Sequence, residues 1–258
     1  MTVELALTRL HGSPDATRLL VVGPSLGTSV STLWSACASR MPAELEVVGW
    51  DLPGHGASAP ATGPFTVGDL AYAVRKALTP VAAGRPSAYA GVSLGGCVAF
   101  ALATDPGPFD TLVAIASSPR IGEPGAWSER AGLVRRAGTP VMVSGSAQRW
   151  FAPGFTVRDP STASALLLGL SEADSASYAW ACEALGGFDA RADVAGALVP
   201  LHVVTGEHDP VVPPDSVADL LVASRRVLMG CAHLPPAEVP DATADLLTDI
   251  LEPTEARP

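Results

Sequence analysis

Charge and aromatic side chains are scarce in this chain of 258 residues: 16% of positions are Asp, Glu, Lys or Arg, and 5% are Phe, Trp or Tyr. Disorder does not follow, because 48% of residues are hydrophobic and the mean hydropathy is +0.30. Long apolar runs are missing too. Stretches such as Leu19–Gly23 and Val98–Ala103 fall far short of the roughly 18 residues a membrane-spanning helix needs. The opening MTVELALTRLHG holds neither a basic start nor a continuous apolar segment, so no signal peptide is expected and the chain reads as a soluble, cytoplasmic protein. No basic stripe appears. With 26 acids against 16 bases the net charge is −10, which repels phosphate backbones and argues against a nucleic-acid partner. The cysteines are few and scattered (Cys37, Cys97, Cys182, Cys231), without CxxC pairs or the Cys/His spacing of a metal site. They read as reduced core residues, and neither a metal nor a cofactor is expected.

What the sequence does have is punctuation. Its 25 glycines and 24 prolines separate short apolar runs from longer amphipathic stretches. Leu19–Gly23, Leu45–Asp51, Ser87–Val92, Thr111–Ala116, Leu201–Gly206 and Arg226–Met229 read as buried strands. Helices are expected over Val67–Leu78, Gly95–Thr104, Pro214–Ser224 and Asp241–Leu251. Strand and helix in alternation give an α/β fold, a mainly parallel sheet with helices on both faces. The rhythm breaks between residues 120 and 197, where only helical pieces are legible: Ala126–Ala137, Val141–Phe151, Ser161–Gly169 and Ala173–Leu185. This interval is expected to be a helical lid inserted before the strand Leu201–Gly206, leaving 1–119 and 198–258 as the core. Ordinary crossover helices are the alternative.

The sharpest local signal is Gly91-Val92-Ser93-Leu94-Gly95, directly after one expected strand and before one expected helix. A serine on such a tight turn takes strained backbone angles, so the positions two residues either side must be small. The turn exposes the hydroxyl beside the positive end of the following helix, as a nucleophile requires.

A nucleophilic serine needs a base, and the base needs an orienting carboxylate. Of five histidines, His11 reads as a solvated turn residue and His55 as part of the turn Asp51-Leu52-Pro53-Gly54-His55-Gly56-Ala57-Ser58. His202 falls inside a strand and reads as a core histidine, and His208 is adjacent to the candidate acid. His233 follows the last expected strand and is the candidate base. Asp209, after the strand Leu201–Gly206, is the candidate acid, with Glu207 as its competitor. Each of Ser93, Asp209 and His233 then lies beyond the C-terminal end of a strand, where open α/β sheets carry their sites. The oxyanion of an acyl-transfer intermediate needs two N–H donors. Leu94 supplies one candidate. Leu26, in the turn Pro24-Ser25-Leu26-Gly27-Thr28, supplies the other, since Pro24 has no N–H. Ser25 supports that turn or touches substrate.

Taken together, GPSLGTS, DLPGHGAS, GVSLGG, GEHDPVVPP and CAHLPP resemble the α/β-hydrolase superfamily along the whole chain. The lid segments SPRIGEPGAW, RWFAPGF and YAWACE, the last followed by FDAR, resemble those of the 3-oxoadipate enol-lactonases. The chain departs from them in ALGG at 184–187 and in LPPAEVPD after His233. The resemblance implies opening of 3-oxoadipate enol-lactone to 3-oxoadipate, in the protocatechuate branch of the β-ketoadipate pathway. An acidic protein that binds an anion must supply a local cation. Among the lid residues Arg130, Arg135, Arg136, Arg149, Arg158 and Arg191, Arg149 is singled out by the adjoining Trp150 and Phe151. Trp127 and Trp150 are candidate pocket walls. The alternatives are a broader carboxylesterase or lactonase acting on small neutral esters, and a slow-turnover ligand-binding protein of the same fold.

Overall fold

The computed structural model describes residues 3–252. Residues 1–2 and 253–258 of the expected core lie outside the described residues. Seven strands form one sheet: β1 (Leu7–His11), β2 (Arg18–Gly23), β3 (Leu45–Trp50), β4 (Ser87–Val92), β5 (Thr111–Ile115), β6 (Leu201–Gly206) and β7 (Ser224–Leu228). Their spatial order is β1-β3-β2-β4-β5-β6-β7. All pairings are parallel except that of β1 with β3.

Beyond Arg18 at the start of β2, β2 and β4 are buried throughout, as runs such as LLVV and YAGV require when helices cover both faces. The helices between the first strands are α1 (Val30–Ala38), α2 (Val67–Ala82) and α3 (Leu94–Leu102). Ser29 caps α1, its side chain accepting from the N–H of Thr32, and Thr66 with Asp69 forms a capping box on α2.

Between β5 and β6 lie five helices and no strand: α4 (Pro124–Ala137), α5 (Val143–Trp150), α6 (Phe155–Arg158), α7 (Pro160–Glu172) and α8 (Ser175–Gly186). Helices α4 and α8 pack closely, since a Cβ on Gly186 would sit 3.2 Å from the Cβ of Trp127. After β7 come α9 (Pro235–Glu238) and α10 (Pro240–Leu251).

Four expectations are corrected. His11 is not a solvated turn residue: it ends β1, partly buried, with its Nε2 enclosed and unpartnered. The amphipathic edge strand LTRLH is legible only once β3 is beside it. Pro214–Ser224 is not a helix. A single 3₁₀ turn forms over Pro214–Val217, where Val217 is the only buried residue, and the chain beyond it is not helical although Leu220 and Val222 still pack against the core. Val141–Phe151 divides into a 3₁₀ turn ending at Met142 and α5. His202 is half-buried in β6, its Nδ1 2.7 Å from Ser224 Oγ on β7, and is not a core histidine.

Candidate active site

Ser93 stands between β4 and α3 at φ 54°, ψ −110°, a conformation that costs a non-glycine residue on the order of 1–3 kcal/mol and persists only where its surroundings enforce it. The enforcement is visible. The N–H of Ser93 donates to the Ile115 carbonyl at 2.8 Å, and Ser117 Oγ donates to the Ser93 carbonyl at 2.8 Å. Gly91 is obligatory, because a Cβ there would fall 2.1 Å from the Gly95 carbonyl oxygen.

Asp209 and His233 reach the same end of the sheet from the loops after β6 and β7. His233 Nδ1 lies 2.9 Å from Asp209 Oδ2, with both side chains almost wholly buried. A carboxylate accepts here, so Nδ1 carries the hydrogen and Nε2 is left as an acceptor. The other Asp209 oxygen accepts the N–H groups of Val211 at 2.8 Å and Val212 at 3.1 Å, which fixes the carboxylate plane. Glu207 is turned away, its Oε2 accepting the N–H of Gly230 at 2.9 Å and lying 3.4 Å from His208 Nε2.

Ser93 and His233 open into one cavity of about 250 Å³. Ser25 and Leu26 form part of its wall from the loop after β2, and Trp127, Arg149 and Trp150 from the helices between β5 and β6. Leu94 opens α3, so its N–H has no carbonyl of its own helix to meet. Ser25 is buried, and its N–H and carbonyl both bond Thr28 Oγ1, at 3.1 and 3.0 Å. It therefore holds the turn and also faces the cavity.

Arg130 lines the cavity as well, a residue that the reading of the sequence counted among the lid arginines but did not single out. Its guanidinium carbon lies 5.4 Å from the ring centroids of both Trp127 and Tyr178, and Nη2 donates to the Tyr178 hydroxyl. Its Nε is buried without a partner. The available signal was Trp127 three residues earlier, on the same helix face. Burial and then the charge of Arg130 push the Arg149 pKa down. Among the described residues neither arginine pairs with a carboxylate, whereas Arg135 pairs with Glu183 and Arg191 with Asp189. Glu123 lines the cavity too, but it pairs with Arg120, so two guanidiniums without a carboxylate partner can receive an anion there.

His55 lies apart from this cavity. It is buried in a turn organised by Asp51, whose carboxylate accepts the N–H groups of Val30 at 2.6 Å and Ala57 at 2.9 Å. Its Nδ1 meets the Pro53 carbonyl at 2.9 Å and its ring stacks on Tyr178, 6.0 Å between centroids. Burial lowers its pKa to about 4. The four cysteines are buried free thiols. No helix among the described residues is long and apolar enough to cross a membrane.

Residues 10–246 match the model of the alpha/beta hydrolase family. The chain is 31% identical to 3-oxoadipate enol-lactonase 2 of Acinetobacter baylyi, over 86% of this chain and 84% of that protein. It is 27% identical to 3-oxoadipate enol-lactonase 1 of the same organism, over 77% and 74%. Among solved structures, the enol-lactonase from Burkholderia xenovorans LB400 superposes with a TM-score of 0.89 at 26% identity, covering 98% of this chain and 99% of that one.

Proposed function

Since this chain belongs to the alpha/beta hydrolase family, and is accordingly an ester-hydrolysing enzyme, we propose that it is a serine hydrolase that opens 3-oxoadipate enol-lactone to 3-oxoadipate. One observation carries this beyond the family. The cavity that joins Ser93 to the His233–Asp209 pair also presents Arg130 and Arg149 without a carboxylate partner. A small lactone bearing one carboxylate matches both halves of that site. The corresponding role is the step in the protocatechuate branch of the β-ketoadipate pathway, carried out in the cytoplasm. Residues 120–197 act as the lid over a core of 1–119 and 198–258.

In this mechanism Ser93 Oγ attacks the lactone carbonyl while His233 Nε2 takes its proton. Asp209 holds the imidazole by Nδ1 and offsets the charge it acquires. The N–H groups of Leu26 and Leu94 receive the oxyanion, each worth about 3–4 kcal/mol of barrier. Collapse breaks the bond between the carbonyl carbon and the ring oxygen. The enolate leaves with the proton from His233 and stays tethered to the acyl group, because ring and acyl are one molecule. The enol then tautomerises to the ketone. A water deprotonated by His233 attacks the Ser93 ester, releasing 3-oxoadipate and restoring the hydroxyl. Arg130 and Arg149 hold the carboxylate, while Trp127 and Trp150 wall the ring. A protein of net charge −10 repels the substrate at long range, so attraction must be local.

Turnover of enol-lactone generated in situ, measured beside p-nitrophenyl acetate, tests the proposal. The lactone should be preferred in kcat/KM by about 10- to 150-fold, the worth of one charge-assisted contact. Equal efficiency would favour a general carboxylesterase for small neutral esters, a reading the walls of Ile121, Trp127 and Trp150 also suit. Binding of the lactone without turnover of either substrate would leave a ligand-binding protein.

A further inference from the structure

Glu238 ends α9 and is 4% exposed. A carboxylate buried to this degree is costly unless a cation or several donors compensate it. Among the described residues its oxygens are met by main-chain N–H groups alone. Oε1 accepts from Ala232 at 2.9 Å and from Leu234 at 3.1 Å, the two residues that flank His233. Oε2 accepts from Ala152 at 2.6 Å, in the turn just after α5. The one N–H of this tripeptide that Glu238 does not take, that of His233 itself, donates to the Trp150 carbonyl at 3.1 Å. Burial pushes the Glu238 carboxyl upward in pKa, and the three N–H bonds and then the neighbouring His233 draw it back.

The local sequence builds this arrangement. Pro235 and Pro236 bring no N–H to compete for the carboxylate, and their fixed φ starts the short helix that returns Glu238 to the loop it left. The result is a three-point clamp between segments more than eighty residues apart.

We infer that Glu238 is a positioning residue that fastens the loop carrying His233 to the lid turn following Arg149 and Trp150, so that base and anion site are held as one unit. The inference rests on the proposed role of His233. A catalytic group must be held within about 0.5 Å of its working position, and a displacement near 1 Å costs about 10²-fold in rate. Glutamine distinguishes the two ends of the clamp. Its single acceptor oxygen can keep both N–H groups beside His233, but its amide nitrogen then faces the N–H of Ala152, and the lid turn keeps only the bond from the His233 N–H to the Trp150 carbonyl.

The test compares E238A and E238Q with the wild type on p-nitrophenyl acetate and on the enol-lactone. It also follows the far-downfield proton NMR signal of the His233–Asp209 hydrogen bond. With both ends freed, E238A should lose about 10²-fold in kcat on both substrates, with KM for the neutral ester unchanged and the downfield signal lost. E238Q should keep the signal and most of kcat while KM for the lactone rises about tenfold, the share of one weakened anion contact. Both variants keeping wild-type kinetics and signal, with only the melting temperature lowered, would reduce Glu238 to packing and overturn the inference. If E238A does not fold, E238Q decides alone: an unchanged KM for the lactone overturns the coupling. A wild type that turns over neither substrate is a failure of the proposed function instead. The downfield signal of the variants then tests the clamp by itself, and its survival in folded E238A overturns it.

Discussion

The N–H of Gly95 donates to the carbonyl of Pro24 at 3.0 Å. That bond joins the turn carrying Ser93 to the loop after β2, and so fixes the separation between the two proposed oxyanion donors, Leu94 and Leu26. Tyr89 supports the same point from below, its hydroxyl donating to the Gly95 carbonyl at 2.9 Å. A Cβ on Gly95 would lie 2.7 Å from the Pro24 oxygen and 2.9 Å from the Gly23 carbonyl carbon. Gly95→Ala should therefore push the two loops apart. Loss of one oxyanion contact costs about 10²–10³-fold in kcat, and a loss of that order is expected with KM little changed. A variant with wild-type kcat would show that the loops can part without consequence.

The proposed catalytic set has its own signature. Ser93→Ala, His233→Ala and Asp209→Asn should each lower kcat by roughly 10³–10⁶-fold, and double variants should lose little more, since the three act as a unit. Glu207→Gln should stay near wild type because its carboxylate faces Gly230. The reverse pattern, an active Asp209→Asn beside an inactive Glu207→Gln, would move the acid to Glu207.

The proposed anion site can be separated from general pocket shape. Arg149→Met and Arg130→Met keep part of the packing and remove the charge. Each should raise KM for the lactone by about 10- to 150-fold, equivalent to roughly 1.5–3 kcal/mol, while barely affecting p-nitrophenyl acetate. Arg149→Lys should rescue only partly, because an ammonium lacks the planar fork. Equal losses on both substrates would mean that these residues shape the lid.

His55 predicts a pH dependence of stability, not of turnover. Its folded pKa is lowered from 6.5 to about 4, so below pH 6.5 the unfolded chain binds the proton first. Stability attributable to the neutral ring is complete above pH 6.5, declines as the pH falls toward 4, and is gone below it. The size is on the order of 3 kcal/mol. Thermal unfolding of the wild type should show this decline, and His55→Gln should flatten it while leaving kcat within a few-fold. A large loss of kcat at unchanged melting temperature would contradict a structural role for this histidine.

Some elements could be read directly from the chain, others only partly. Ser87–Val92 and Leu201–Gly206 fall where the apolar runs said, because a strand covered on both faces is hydrophobic at most of its positions. Strand β1 and helix α1 went unread. Alternation in five residues is weak evidence, and the start of α1 depends on Asp51, which accepts the N–H of Val30 from 21 residues away, as well as on the local cap Ser29. The serine turn announced itself through Gly91 and Gly95, as local steric demands do. Arg130 did not, since its role depends on Tyr178, 48 residues on and brought alongside by the packing of α4 against α8.

The sequence by itself determined the α/β alternation, the strained serine turn, and the order in which serine, acid and histidine follow strand ends. These rest on short-range physics: burial of contiguous apolar runs, proline and glycine geometry, and chain order. Only the tertiary structure decided that Asp209 and not Glu207 faces His233, that Arg130 and Arg149 are left without carboxylates, and that Glu238 bonds both the histidine loop and the turn after α5. Each of these depends on which charges remain unpaired and which N–H groups find an acceptor once segments far apart in the chain are packed together. Such pairing is a property of distances in space, which composition and spacing along a chain do not contain.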